Sequence, residues 1–207
     1  LYAGGIKMKV IGITGGVGAG KSALLEYIAG KYNCKVILAD KAAHKVEEPG
    51  QPCYRKLVTL LSEDILNEDG TVNREKMAAR IFGSDKLLEE ANKIIHPAVK
   101  DFILKEIERE RKEGALDFLF VEAALLIENG YLDIVDEMWY IYALENVRRS
   151  RLRAARNYSD EKITSIMKSQ LTEEEFRKHC RVVIDNSKEP EAGYKQVDEK
   201  LGEYLYG

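Results

Sequence analysis

Five short runs of apolar, largely β-branched residues punctuate this chain, and stretches with helical spacing lie between them. Met8–Thr14 (M-K-V-I-G-I-T) comes first; Lys35–Leu38, Asp117–Glu122, Glu137–Ala143 and Arg181–Ile184 follow, the last leading into the turn-like Asp185-Asn186-Ser187. Runs this short, without apolar–polar alternation, suit strands covered on both faces, as in a parallel sheet. Lys21–Tyr32 places Leu24, Leu25, Ile28 and Tyr32 at helical spacing. Pro97 suits a first helical turn, where its missing N–H costs no intrahelical bond, so a helix is predicted to open there. Val99, Phe102, Ile103 and Ile107 form its apolar face, and Gly114 is its expected stop. Ser159-Asp160-Glu161 starts a further helix with Ile163, Ile166 and Met167 as its stripe, and Thr172 to Glu175 has the spacing of a capping box. Strands alternating with helices predict an α/β fold, a five-stranded parallel sheet flanked by helices.

One interval breaks the alternation. Ala39–Leu116 is too long for a single crossover and must hold several helices that leave the core. Composition then removes some classes of function. Hydrophobic residues are 45% of 207, enough for a sizeable core, while the net charge of -3 gives no general basic face, so nucleic acid is not an expected partner. Cys34, Cys53 and Cys180 show no C-x-x-C spacing, which argues against a disulfide framework and a zinc site and suits a reduced cytoplasm. No apolar run approaches the roughly 20 residues of a membrane span. Leu1–Gly5 is too short for a signal peptide. A cytoplasmic protein with no membrane partner is expected, with residues 1–7 either foreign to the natural protein or a minor extension before the first strand.

The candidate chemistry sits directly after that strand. Gly15-Gly16-Val17-Gly18-Ala19-Gly20-Lys21-Ser22 fits G-x-x-x-x-G-K-[ST] at every fixed position, with a strand before it and a helix after it. From average residue usage, chance alone produces such a match in roughly one of a hundred or more chains of this length. The residue types follow from the task. Glycines let the backbone curl and aim N–H groups at phosphates, and the helix adds its positive end. Lys21 reaches the β- and γ-phosphates, and the Ser22 hydroxyl is the Mg²⁺ ligand. The stretch Gly15–Ala23 is thus the expected ATP site.

Other features separate the phosphate-loop classes. A GTPase needs N-K-x-D, and Asn92-Lys93-Ile94-Ile95 fails at the fourth position; no transporter-type Ser-Gly-Gly-Gln signature is present. A small-molecule kinase needs an acid near the acceptor and arginines for the migrating phosphoryl group. Asp40, just past the second strand, lies where ligands gather in open α/β sheets, though an Asp there can equally cap a helix. Five arginines, Arg148, Arg149, Arg151, Arg153 and Arg156, follow the fourth strand. Arg149, Arg153 and Arg156 form one row and Arg148 and Arg151 another; one row can face solvent while the other faces phosphate, and spacing does not choose. Glu122 and Glu128 follow the third strand; Glu122 can hold a metal-bound water, cap a helix or pair with a basic residue. His96, before Pro97, can touch substrate or bond a helix entry.

The ordered segments together resemble the dephospho-CoA kinases over nearly the whole chain, Lys9 to about Leu205. They are Ile11–Ser22, Ile37–His44 (I-L-A-D-K-A-A-H), Gly70–Phe82, Ile95-His96-Pro97, Leu125–Glu128, Ser169-Gln170 and Val183–Asn186. The chain departs from the family pattern at Leu38, Ala124, Ala155 and Cys180-Arg181. The resemblance implies phosphorylation of the ribose 3'-hydroxyl of dephospho-CoA by ATP with Mg²⁺, the last step of coenzyme A synthesis. It further implies a phosphate-loop kinase in three parts: a core of residues 8–38, 117–147 and 181–207, a helical acceptor-binding insertion at 39–116, and a lid at 148–180. It makes Asp40 the base and Arg151 the lid arginine, with Arg153 or Arg156 standing in where Ala155 replaces a second one, and Lys21 completes the catalytic set. A monomer or small homo-oligomer is expected. Another nucleoside or nucleotide kinase, or a non-catalytic ATP-binding protein, remains the alternative.

Overall fold

The computed structural model describes residues 7–123 and 125–207. The extension read at residues 1–7 thus lies outside the described residues except for Lys7, and so does the departure at Ala124. The chain divides into two compact units, one running through Val36 and resuming from Glu110 to Gly207, the other spanning Ile37–Arg109.

The first unit is built on the sheet. β1 (Lys9–Thr14), β2 (Cys34–Leu38), β3 (Phe118–Glu122), β4 (Glu137–Tyr142) and β5 (Val182–Asp185) stand in the order β2-β3-β1-β4-β5. β1 is central and pairs in parallel with β3, Ile11 opposite Phe120, and with β4, Ile13 opposite Trp139; β4 pairs in parallel with β5, Ile141 opposite Ile184. Consecutive residues on both faces are buried, among them Val10, Ile11, Phe118, Leu119 and Phe120. That burial is why the strands read as continuous apolar runs. Around the sheet lie α1 (Lys21–Lys31), then α6 (Glu145–Arg156), α7 (Asp160–Lys168) and α8 (Glu173–His179), and finally α9 (Pro190–Tyr206). α7 is capped by Ser159, whose hydroxyl accepts the Lys162 N–H, and α8 by the full Thr172–Glu175 box.

The second unit is helical: α2 (Ala39–Val46), α3 (Pro52–Leu61), α4 (Arg74–Ile81) and most of α5 (Asp85–Glu113). Leu57, Leu61, Ile65, Ala91, Val99, Ile103 and Ile107 form its core. Glu47 is buried and takes an ion pair from Arg74 at 2.9 Å. One expectation fails here. Pro97 does not open a helix but lies inside α5, which runs from Asp85 without a break. An interior proline costs roughly 3 kcal/mol through a lost bond and a clash with the preceding turn. The stripe of Ala91, Val99, Ile103 and Ile107 is buried on both sides of Pro97, so packing holds the helix through it. His96 is therefore a mid-helix residue, not a helix entry. Gly114, at φ 64, ends α5 as predicted.

Candidate active site

The phosphate loop begins where β1 runs out at Thr14 and ends where α1 begins. Gly20 is the N-cap of α1 at φ 87, a left-handed conformation that a Cβ would strain. No side chain caps α1, and its first turn carries no acid. The first helical bond is Leu24 N–H to Gly20 O, so the Ser22 and Ala23 amides precede it and have no intrahelical acceptor. This helix start is positive, open and suited to an anion.

Lys21 turns back over the loop, donating from Nζ to Gly15 O at 2.8 Å. Its ammonium also lies 3.8 Å from Glu122 Oε1. The pairing of β1 with β3 sets Ile13 opposite Glu122, which brings the carboxylate to the strand end beside the lysine. Glu122 thus has a basic partner, one of the roles its sequence position allowed. Ser22 is exposed in the first turn of α1.

α6 decides between the two arginine rows. Arg148 donates from Nε to Val17 O at 2.9 Å and from Nη2 to Gln170 Oε1 at 3.1 Å. Gln170 Oε1 in turn accepts the Val17 N–H at 3.0 Å. Arg151 donates from Nη1 to Ala19 O at 3.3 Å and from Nη2 to Asn186 O at 2.9 Å. The other row is engaged elsewhere: Arg149 with Glu145 and Thr164, Arg153 with Asp160, and Arg156 beside the Tyr158 ring. Leu152, the one buried residue of α6, lies one turn after Arg148, and both approach Gly18 of the loop. Burial lowers the Arg148 pKa, and burial pushes the neighbouring Tyr140 hydroxyl up to about 12.

Two amides contact the loop whose roles the residue pattern did not reveal. Gln170 follows α7. Asn186 follows β5, is buried, and donates from Nδ2 to Ala19 O at 2.8 Å. Each was legible only as one residue in a run resembling a family. A structural signal for Asn186 is Gly193, where a Cβ would come within 2.9 Å of Asn186 Oδ1.

The site therefore gathers Gly15–Ala23, Lys21, Glu122, Arg148, Arg151, Gln170 and Asn186 in the first unit. Asp40 belongs to the second unit. It is exposed in the first turn of α2, and the N-cap there is Leu38, so Asp40 is not the capping residue. Glu128 is exposed in the turn that follows β3.

Comparison with known proteins places the chain in a family. The profile of the family described as dephospho-CoA kinase matches residues 9–191. A dephospho-CoA kinase of Dehalococcoides mccartyi is 33% identical over 180 residues, covering 87% of this chain and 89% of its own. One of Aquifex aeolicus is 36% identical over 191 residues, covering 92% and 94%. The solved dephospho-CoA kinase of Campylobacter jejuni shares the fold, with a TM-score of 0.72 at 22% identity over 94% of this chain and 96% of that one. The chain belongs to the dephospho-CoA kinase family.

Proposed function

We infer that Gly15–Ala23 holds the phosphates of ATP and that this chain passes the γ-phosphoryl group to the ribose 3'-hydroxyl of dephospho-CoA, releasing ADP and coenzyme A. The reaction is that of the family, the last step of coenzyme A biosynthesis. The observation that carries the reading is the loop itself. An uncapped, acid-free helix start lies beside Lys21 and two arginines that have no carboxylate partner among the described residues. Such a cluster is electrostatically incomplete until an anion joins it.

Phosphoryl transfer asks the protein chiefly for positioning and charge stabilisation. The bond from the γ-phosphorus to the β–γ bridging oxygen breaks, a bond to the ribose O3' forms, and the hydroxyl proton passes to a base. Asp40 is the group for that proton, exposed and not engaged in capping α2. Lys21 neutralises the β- and γ-phosphates. Arg151, tethered to Ala19 O and Asn186 O, closes over the migrating group as part of a 148–180 lid. A lid that excludes water suppresses ATP hydrolysis.

The 39–116 segment is the acceptor-binding part. Its helical unit contains a cavity of about 450 Å³ lined by Val46 and Phe102 among apolar residues and by Lys56, Lys93, Lys105 and Asp101, the last paired with Lys105. Apolar walls with a few cations suit a long, partly apolar, anionic acceptor.

Mg²⁺ fits the residues present. Among the described residues, no group of three His, Cys, Asp or Glu side chains could hold a metal alone; an ion arriving with ATP would take phosphate oxygens as ligands. Ser22 would contribute the protein ligand, and Glu122, at the end of β3, would order a metal-bound water. When bound, the ion neutralises charge on the β- and γ-oxygens.

Coupled ADP release with dephospho-CoA, against adenosine and nucleoside monophosphates, tests the reading. Turnover is expected with dephospho-CoA alone. Equal or faster turnover with another nucleoside would assign a different acceptor, and ATP binding without turnover on any would assign a non-catalytic role.

A further inference from the structure

Among the described residues neither loop-facing arginine bonds a carboxylate, but their donors are used differently. Arg151 commits Nη1 and Nη2 to main-chain carbonyls. Arg148 commits Nε to Val17 O and Nη2 to Gln170 Oε1, and its Nη1 has no partner among the described residues. Its guanidinium is held against bare backbone: a Cβ on Gly16 would lie 2.3 Å from Arg148 Nη2 and 2.4 Å from Cζ. Gln170 Oε1 binds both Arg148 and the Val17 N–H, so Val17 tethers the guanidinium twice, directly and through Gln170. A half-buried cation with fixed orientation, a spare edge and no ion pair among the described residues is a costly arrangement unless an anion completes it. The nearest place built for an anion is the loop it lies on.

We propose that Arg148 is a second cation on the transferring phosphoryl group, acting beside Arg151, and that Gln170 is its positioning residue. This rests on the reading that Gly15–Ala23 carries ATP. The tethers leave Nη1 to meet a γ-phosphate oxygen, a contact that ADP does not offer. Arg148 therefore separates ATP from ADP, whereas a residue that merely clasps α6 to the loop treats both nucleotides alike. Gly16 belongs to the same device, because only a residue without a side chain leaves room for the guanidinium.

The test compares the affinities of ADP and a non-hydrolysable ATP analogue, by calorimetry, for wild type, Arg148→Ala, Gln170→Ala and Arg149→Ala, alongside kcat and thermal melting. For Arg148→Ala, the preference for the ATP analogue over ADP should fall about tenfold or more, kcat should fall about 10²-fold, and added guanidinium should restore part of the rate. Gln170→Ala should shift the same preference by roughly threefold to tenfold, and Arg149→Ala, whose partners are Glu145 and Thr164, should leave it unchanged. An Arg148→Ala protein with the wild-type preference overturns the proposal, whether both affinities stay or both fall together. The binding comparison needs no acceptor. Failure of wild type to phosphorylate dephospho-CoA would thus count against the proposed function and leave this result readable.

Discussion

Two polar clusters in the first unit use similar residues to opposite ends. Where α1 meets α9, Asp198 accepts hydrogen bonds from Tyr27 and Tyr32 and an ion pair from Lys31 at 2.7 Å, while Tyr27 stacks on Tyr194 at 4.0 Å. Burial works to raise the Asp198 pKa, but the bonds from Lys31, Tyr32 and Tyr27 outweigh it and hold the carboxyl below its ordinary range. Every charge there has its opposite. At the phosphate loop Lys21 has Glu122 at 3.8 Å, but among the described residues Arg148 and Arg151 donate to carbonyl and amide oxygens and form no ion pair. The difference teaches how to read a cluster of charges: a compensated one fastens elements together, and an uncompensated one awaits a ligand.

The strongest way to break this comparison is at the loop. Lys21→Ala should lower kcat by several orders of magnitude, because an aimed cation on the phosphates is lost. A folded variant that keeps more than about a tenth of the wild-type rate would show that the loop does not carry the reacting nucleotide.

Asp40→Asn comes next. It keeps the shape of an exposed side chain and removes its charge, so kcat should fall roughly 10²-fold while ATP affinity stays within a few-fold. Because Leu38 and not Asp40 is the N-cap of α2, melting should change little. Steady-state kinetics near wild type would take Asp40 off the catalytic list.

Substituting both arginine rows sharpens the contrast within α6. Arg151→Lys keeps the charge and loses the planar fork that reaches Ala19 O and Asn186 O together, so kcat should drop about tenfold. Arg149→Lys, on the Glu145 side, should stay within about twofold. Equal losses would mean that the field of the cluster matters and its geometry does not.

The smallest effect is expected at the compensated cluster. Asp198→Asn should cost about 1–2 kcal/mol of stability, read by denaturant titration, with kcat unchanged. The sign of its pH dependence follows from the lowered pKa. The folded carboxyl holds its proton less tightly than the unfolded one, so its contribution is complete above the unfolded value of about 4. It is lost as pH falls through the folded value. The variant's stability should therefore depend less on pH between about 5 and 2 than wild type's does. An equal slope would mean that Asp198 is not held by its three donors.

Much of the fold was legible because burial on both faces leaves a direct mark on strand composition. All five apolar runs are strands, within a residue or two at each end. Thr172–Glu175 forms its capping box because that motif is local, with donor and acceptor within a single turn. Pro97 misled because a local preference for helix starts was overridden by a core stripe reaching from Ala91 to Ile107. The loop itself was legible for the same reason as the capping box: its glycines, lysine and serine are consecutive, and their chemistry depends on backbone shape over a few residues.

What the sequence alone determined about this protein is local: the phosphate loop between a strand and a helix, the periodicities of sheet and helices, and the ordered segments that mark the family. What only the tertiary structure decided is which side chains converge on that loop. Arg148 and Gln170 are 22 residues apart, and Arg151 and Asn186 are 35 apart, yet each pair meets at the loop backbone. The arginine rows of α6 are chemically equivalent in the sequence, and it is the contacts of Arg148 and Arg151 with the loop, against those of Arg149 and Arg153 with Glu145, Thr164 and Asp160, that tell them apart. A spacing rule says which residues share a face, but which face is buried depends on what the rest of the chain packs against it.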